Sequence, residues 1–171
     1  ITYDFNGTTK LAETAHHFGT TGLDTGYELT TESKDPAGTV LQKTVSTYVT
    51  DNSQAPFVGW NYRYLSQVAN YVRSGSSLVL TSKTAYVRDG GTGNLAVKQD
   101  YLGSTLYRKQ YYEYRPNFNP SVYILDKATR QLLVDAGNQI ISDVRYVYDN
   151  GAPVLSRGEL TLVQRLLDST T

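Results

Sequence analysis

Leu78-Val79-Leu80-Thr81-Ser82-Lys83-Thr84-Ala85-Tyr86-Val87 decides the fold class of this 171-residue chain. Read as a strand, it puts Leu78, Leu80, Ser82, Thr84 and Tyr86 on one face and Val79, Thr81, Lys83, Ala85 and Val87 on the other. A helix would scatter these residues around its axis, whereas strand side chains alternate with a period of two. The same reading covers Thr39 to Val49, Ser104 to Tyr114 and Gln139 to Tyr148, where Ile140, Val144, Tyr146 and Tyr148 share a face.

Turn chemistry separates these runs. Asp4-Phe5-Asn6-Gly7, Asp35-Pro36-Ala37-Gly38, Ser74-Gly75-Ser76-Ser77, Gly90-Gly91-Thr92-Gly93-Asn94, Asp135-Ala136-Gly137-Asn138 and Asp149-Asn150-Gly151 each offer a residue that tolerates positive φ. Gly19 to Gly26 and Arg115 to Pro120 break the pattern and are expected to be loops. Trp60 to Val72 is rich in Tyr, Val and Asn and reads as a long strand. Leu160 to Asp168 also fits a 3.6-residue period through Leu160, Val163, Leu166 and Leu167, so a helix competes with a strand there.

The expected architecture is therefore all-β, a series of consecutive antiparallel hairpins over residues 1–171 as a single region. A lone hairpin cannot close a core, so each must be flanked by another hairpin or another chain. Fifteen tyrosines suit this arrangement, because the ring packs across strands while the hydroxyl reaches water or a carbonyl. Sixteen basic residues balance sixteen acidic ones, which disfavours nucleic acid and anionic membrane as partners. Without cysteine there are no disulfides and no thiolate metal sites. The apolar runs are too short for a helical membrane span. The sequence opens at Ile1 with no Met or leader pattern, which reads as an excerpt or a processed piece of a longer chain.

Few residues suggest chemistry. His16 and His17 are adjacent, so on a strand they point to opposite faces and cannot jointly hold a metal. No Gly-x-Ser-x-Gly elbow is present. Asp4, Asp35, Asp135 and Asp149 are read as turn residues, which leaves Glu13, Glu28, Glu32, Glu113 and Glu159 with no evident partner for glycosidase-type chemistry. Asp89-Gly90-Gly91-Thr92-Gly93-Asn94 lacks the spaced acids of a calcium cage. Trp60, Tyr62 and Tyr64 would form an aromatic strip on one strand face, either buried in the sheet packing or, if exposed, able to stack on sugars or a partner's apolar surface. The reading is of a chain with no catalytic residues, no cofactor and no metal.

Thr2-Tyr3-Asp4-Phe5-Asn6-Gly7 and Tyr146-Val147-Tyr148-Asp149-Asn150-Gly151 resemble the Tyr-Asp signature of YD-repeat, or Rhs-type, proteins, in which a strand ends in Tyr-Asp and a Gly follows. Asp35 to Gly38, Asp89 to Gly93 and Asp135 to Gly137 are similar to variant turns of that repeat. The resemblance makes Tyr3, Asp4, Gly7, Asp35, Gly38, Asp89, Gly93, Asp135, Gly137, Tyr148, Asp149 and Gly151 structural repeat turns. It also implies a β-sheet spiralling into a shell or fibre wall of a secreted or cell-surface bacterial protein. Such a scaffold self-associates or abuts adjacent repeats, and can enclose a toxin or effector. The self-cleaving core that such shells carry, with its paired Asp-Pro-x-x-Gly-type motif, is not recognisable, and Asp35-Pro36-Ala37-Gly38 stands alone and early. Two other function classes stay open: an adhesin or carbohydrate-binding β-module using the aromatic strip, and a polysaccharide-degrading enzyme.

Overall fold

The computed structural model describes residues 1–51, 62–119, 121–122 and 124–166. Its strands are β1 (Thr2–Asn6), β2 (Thr9–Phe18), β3 (Glu28–Lys34), β4 (Val40–Asp51), β5 (Tyr62–Ser74), β6 (Ser77–Arg88), β7 (Leu95–Leu102), β8 (Thr105–Tyr114), β9 (Ala128–Asp135), β10 (Ile140–Tyr148) and β11 (Leu160–Leu166). They form one antiparallel sheet in the order β1 to β11, each strand beside its neighbours in sequence. The all-β hairpin architecture is thus present, and among the described residues β1 and β11 each pair on one side only. Over Leu160–Leu166 the helical alternative is replaced by a strand, because β10 supplies a backbone ladder running from Asp143–Leu166 to Tyr148–Leu160; Leu167 and Asp168 lie outside the described residues. Gly19 to Gly26 is a loop around a short 3₁₀ turn at Gly22–Asp24, and Arg115 to Asn119 is a loop with an isolated Asn117–Ile124 bridge.

The chain groups into two compact units. The first takes the described residues of Ile1–Asp51, Asn61–Ala85 and Asp100–Thr105, the second those of Tyr86–Gln99 and Leu106–Thr171.

In the first unit each sheet face carries a polar cross-strand ladder. On one face His16, Thr31, Thr44, Asn70 and Ser82 stand opposite one another in successive strands β2 to β6. Thr44 Oγ1 donates to Asn70 Oδ1 at 2.9 Å, and Asn70 Nδ2 donates to Ser82 Oγ at 3.1 Å. The other face carries a charge ladder, with Glu13 bonded to Lys10 (2.7 Å) and Lys34 (3.1 Å), and Glu32 to Lys43 (3.2 Å). Ala15 and Ala69, the unit's buried apolar residues among those described, lie on this charged face between long side chains. The stems of long charged side chains cover a small residue that stands between them.

In the second unit Arg130 of β9 clamps Asp143 of β10 with two bonds of 2.9 and 2.8 Å, and reaches Glu113 of β8 at 3.0 Å. Asp143 is only 4% exposed, so this bidentate pair is what makes its burial tolerable.

Register shifts occur beside both tight reversals and long connections, and those beside long connections share a pattern. Phe18, Tyr48, Tyr114 and Tyr148 each mark a register shift, and the extra residue on the next strand is Leu29, Ser66, Thr129 and Thr161 respectively. In the last three the extra residue carries a hydroxyl, and Ser66, Thr129 and Thr161 donate back to the carbonyls of Thr47, Glu113 and Val147 at 3.0, 3.2 and 3.0 Å. The preceding tyrosine adds a second tie. The phenols of Tyr48, Tyr114 and Tyr148 donate to the carbonyls of Glu28, Leu95 and Ala128, 19 or 20 residues earlier. The Phe18–Leu29 bulge has a hydroxyl at neither position, so its side chains can make neither tie. A Ser or Thr at the bulge satisfies a carbonyl that the interrupted ladder leaves under-used.

Candidate functional site

The turn residues fall into two structural kinds. Gly7 (φ +61°) opens a two-residue reversal between Asn6 and Thr9, as Gly75 does between Ser74 and Ser77. Asp35 and Asp135 head a different loop. Each donates its backbone N–H to the carbonyl of the residue four ahead (Thr39, Gln139) at 3.0 Å, and accepts that residue's N–H on its carboxylate at 2.8 Å. The position before closure is left-handed: Gly38 at φ +87° and Asn138 at φ +66°. Gly137 is not in that region; its N–H donates to Asp135 Oδ1 at 2.8 Å. Asp89 closes on Asn94 and accepts from the N–H and hydroxyl of Thr92, with Gly93 left-handed at φ +74°.

Asp149 is the same device at larger scale. Its N–H donates to Glu159 O at 2.8 Å, and its carboxylate accepts the amides of Ser156, Arg157, Gly158 and Glu159 at 2.7 to 3.1 Å. Lost hydration pushes this carboxyl up, but the hydrogen bonds from Ser156, Gly158, Arg157 and Glu159 outweigh that and bring it down to about 2. Asp149, Asn150 and Gly151 are all left-handed, at φ +50°, +55° and +81°. Just before them Tyr148 ties β10 to β9. The Tyr-Asp pair is therefore a strand-end lock: the phenol fixes the previous hairpin and the carboxylate closes the next loop.

Tyr3-Asp4 does not repeat this geometry. Asp4 is not in a turn; it pairs with Ala12 inside the β1–β2 ladder, because the Gly7 reversal is so short that the strand runs past it to Asn6. The Tyr3 ring lies 6.2 Å from Phe5 and 5.0 Å from Lys10 Nζ.

The remaining candidates separate. Of the aromatic strip, Trp60 lies outside the described residues, while Tyr62 and Tyr64 are two apart on β5, with Tyr64 half-buried. His16 and His17 engage different carboxylates, Glu28 at 2.7 Å and Glu32 at 3.5 Å. The glutamates engage cations and a hydroxyl: Glu13 and Glu32 belong to the charge ladder, Glu28 also accepts the Thr31 hydroxyl, Glu113 pairs with Arg130, and Glu159 lies 3.9 Å from Arg157. Cross-strand register, which linear spacing does not reveal, brings these groups together. Lysines beside Glu13 hold its carboxyl below the usual range, and Arg130 does the same for Asp143.

Several elements converge at the loop end of the second unit. There the Asp89 loop, the connection from Arg115 to Lys127 and the Asp149 loop all emerge at the same sheet end, as connections after even-numbered strands of a meander must. They are tied together. Asn94 Nδ2 donates to Leu125 O, Asn117 Nδ2 to Leu155 O at 2.6 Å, and Arg115 Nη1 to Ala152 O at 3.2 Å. Leu155, 2% exposed, is the largest fully buried side chain among the described residues. Beside it lies a recess of about 270 Å³ lined by Arg115, Thr129, Arg145, Tyr146, Val147, Tyr148, Gly151, Leu155 and Gln164.

Sequence reasoning did not single out Leu155 or this recess. The one available signal was an apolar Val154-Leu155 pair inside a stretch otherwise made of turn residues. No protein-family model matches the sequence, and no curated protein matches it.

Proposed function

We propose that this chain is a wall segment of a YD-repeat-type scaffold, secreted or displayed at the cell surface, whose role is structural and not catalytic. Its partners on this reading are adjacent repeats or further copies of itself, with a toxin or effector as the material such a wall would enclose. The observation that carries the proposal is the open sheet. Every residue of β1 and of β11 is exposed, and these strands present Tyr3, Phe5, Leu160, Leu162, Val163 and Leu166 at 44 to 57% exposure beside unpaired backbone edges. An exposed apolar edge strand is a template for another strand. The polar ladders of the first unit support the same reading, since they stabilise a sheet that meets water on both faces.

Light scattering after size exclusion, over a wide concentration range, tests this on the 171-residue chain. Concentration-dependent association, reduced by Leu162→Lys on the β11 edge, is the expected result. A compact monomer at all concentrations, unaffected by that substitution, would overturn it.

A further inference from the structure

The recess beside Leu155 holds an imbalance of charge. Arg115 and Arg145 line it from different elements, and no Asp or Glu does. Arg115 gives one N–H to the Ala152 carbonyl and, among the described residues, forms no ion pair. Arg145 stands 3.8 Å from Asp143, but that carboxylate is already gripped on both oxygens by Arg130. The nearby Asp149 carboxylate is turned to the four amides of its own loop. Arg115 and Arg145 therefore border one recess, Arg115 with no carboxylate partner among the described residues and Arg145 with one that it shares with Arg130.

The other walls set the shape of what could enter. Leu155 and Val147 give an apolar side, Gln164 on β11 brings an amide, and Gly151 leaves the rim without a side chain. The volume is below the roughly 300–1,000 Å³ of sites for drug-sized ligands, so a group the size of a side chain fits better than a whole metabolite. Guanidinium matches the planar, two-oxygen geometry of carboxylate. The walls are pinned and not improvised on binding: Asn117 and Arg115 fasten the Asp149 loop from one side, and Asp149 fastens it from the other. Such preorganisation lowers the ordering cost that a small ligand could not otherwise offset.

We propose that this recess is a carboxylate-binding site that receives an acidic group on a short apolar stem from a peptide segment. The proposal does not depend on the wall reading, because it rests on the second unit alone. The carboxylate could come from a glutamate side chain or from a chain terminus, and two probes separate these sources: a blocked tripeptide with a central glutamate, and a blocked tripeptide ending in a free leucine carboxylate.

Titration of each into the isotopically labelled 171-residue chain, followed by amide and arginine side-chain NMR shifts, is the test. Saturable shifts at Gly151, Gln164 and Arg145 with at least one probe are expected, weakened by added salt and about tenfold weaker in Arg145→Gln. Arg157→Gln removes the same charge from a side chain that is 77% exposed and does not line the recess, and should leave affinity unchanged. Arg145→Gln is preferred to Arg115→Gln, which would also unpin the loop. Shifts that fail to saturate, equal affinity in Arg145→Gln and the unaltered chain, or tighter binding of inorganic phosphate than of either peptide would each overturn the assignment.

Discussion

Asp149 shows how much one side chain can organise. Its carboxyl titrates at about 2 in the folded chain against an ordinary value of 3.8, so the folded state favours the charged form. The stability this contributes is fully present above pH 3.8 and is lost as pH falls toward 2. Asp149→Asn should lower the urea midpoint at neutral pH, and the gap between variant and parent should close over that acidic window. A gap that stayed constant down to pH 2 would show that the charge is not what closes the loop. Asn138 makes a separate residue-scale prediction. Its φ of +66° is costly for a β-branched side chain, so Asn138→Val should destabilise by ~1–2 kcal/mol, whereas Asn138→Gly should be close to neutral, as read by chemical denaturation.

Elements are held to one another by side-chain ties that cross strands. Asn70 is the hinge of the polar ladder between β4 and β6, and Asn70→Ala removes two side-chain hydrogen bonds, an expected loss of about 1–3 kcal/mol by thermal or urea unfolding. At the other unit's loop end, Leu155→Ala should cost about 2–5 kcal/mol, because a side chain only 2% exposed leaves a cavity behind. Hydrogen exchange should then rise first in residues 149–159, whose anchorage to Asn117 passes through the Leu155 carbonyl. Uniform loosening of the whole chain would instead mean that the loop is not a separate cooperative element.

For the whole molecule the decisive feature is that the described elements are the eleven strands of one meander and two short 3₁₀ turns, with no longer helix among the described residues. Buried apolar residues are few among those described: Ala15 and Ala69 in one unit, Val134 and Leu155 in the other. Stability in such a chain comes from backbone ladders, tyrosine ties and charge rows, and association at the edges would add to it by mass action. Thermal midpoints should therefore rise with protein concentration, and Leu162→Lys should flatten that dependence while changing the midpoint at high dilution very little, since Leu162 is 48% exposed. A midpoint independent of concentration would argue that the edges are tolerated as they are.

The alternation in Leu78 to Val87 and the Gly- and Asp-bearing reversals were enough to specify strands, hairpins and their order, because both signals are local. A period of two and a positive φ are written in adjacent residues, and a meander pairs each strand with its sequence neighbour. The Asp35 and Asp135 turns were legible for the same reason, whereas Asp4 misled because Asp-x-x-Gly reads alike in a turn and at the end of a strand. Tertiary structure alone decided the partners of the glutamates, the Thr and Ser bulges, and the recess between Arg115 and Arg145. Those depend on register, where one extra residue resets which side chains face each other, and on loop closures such as Asn117–Leu155, which spans 38 residues. A linear pattern carries the faces of each strand; only the folded sheet determines what stands opposite them.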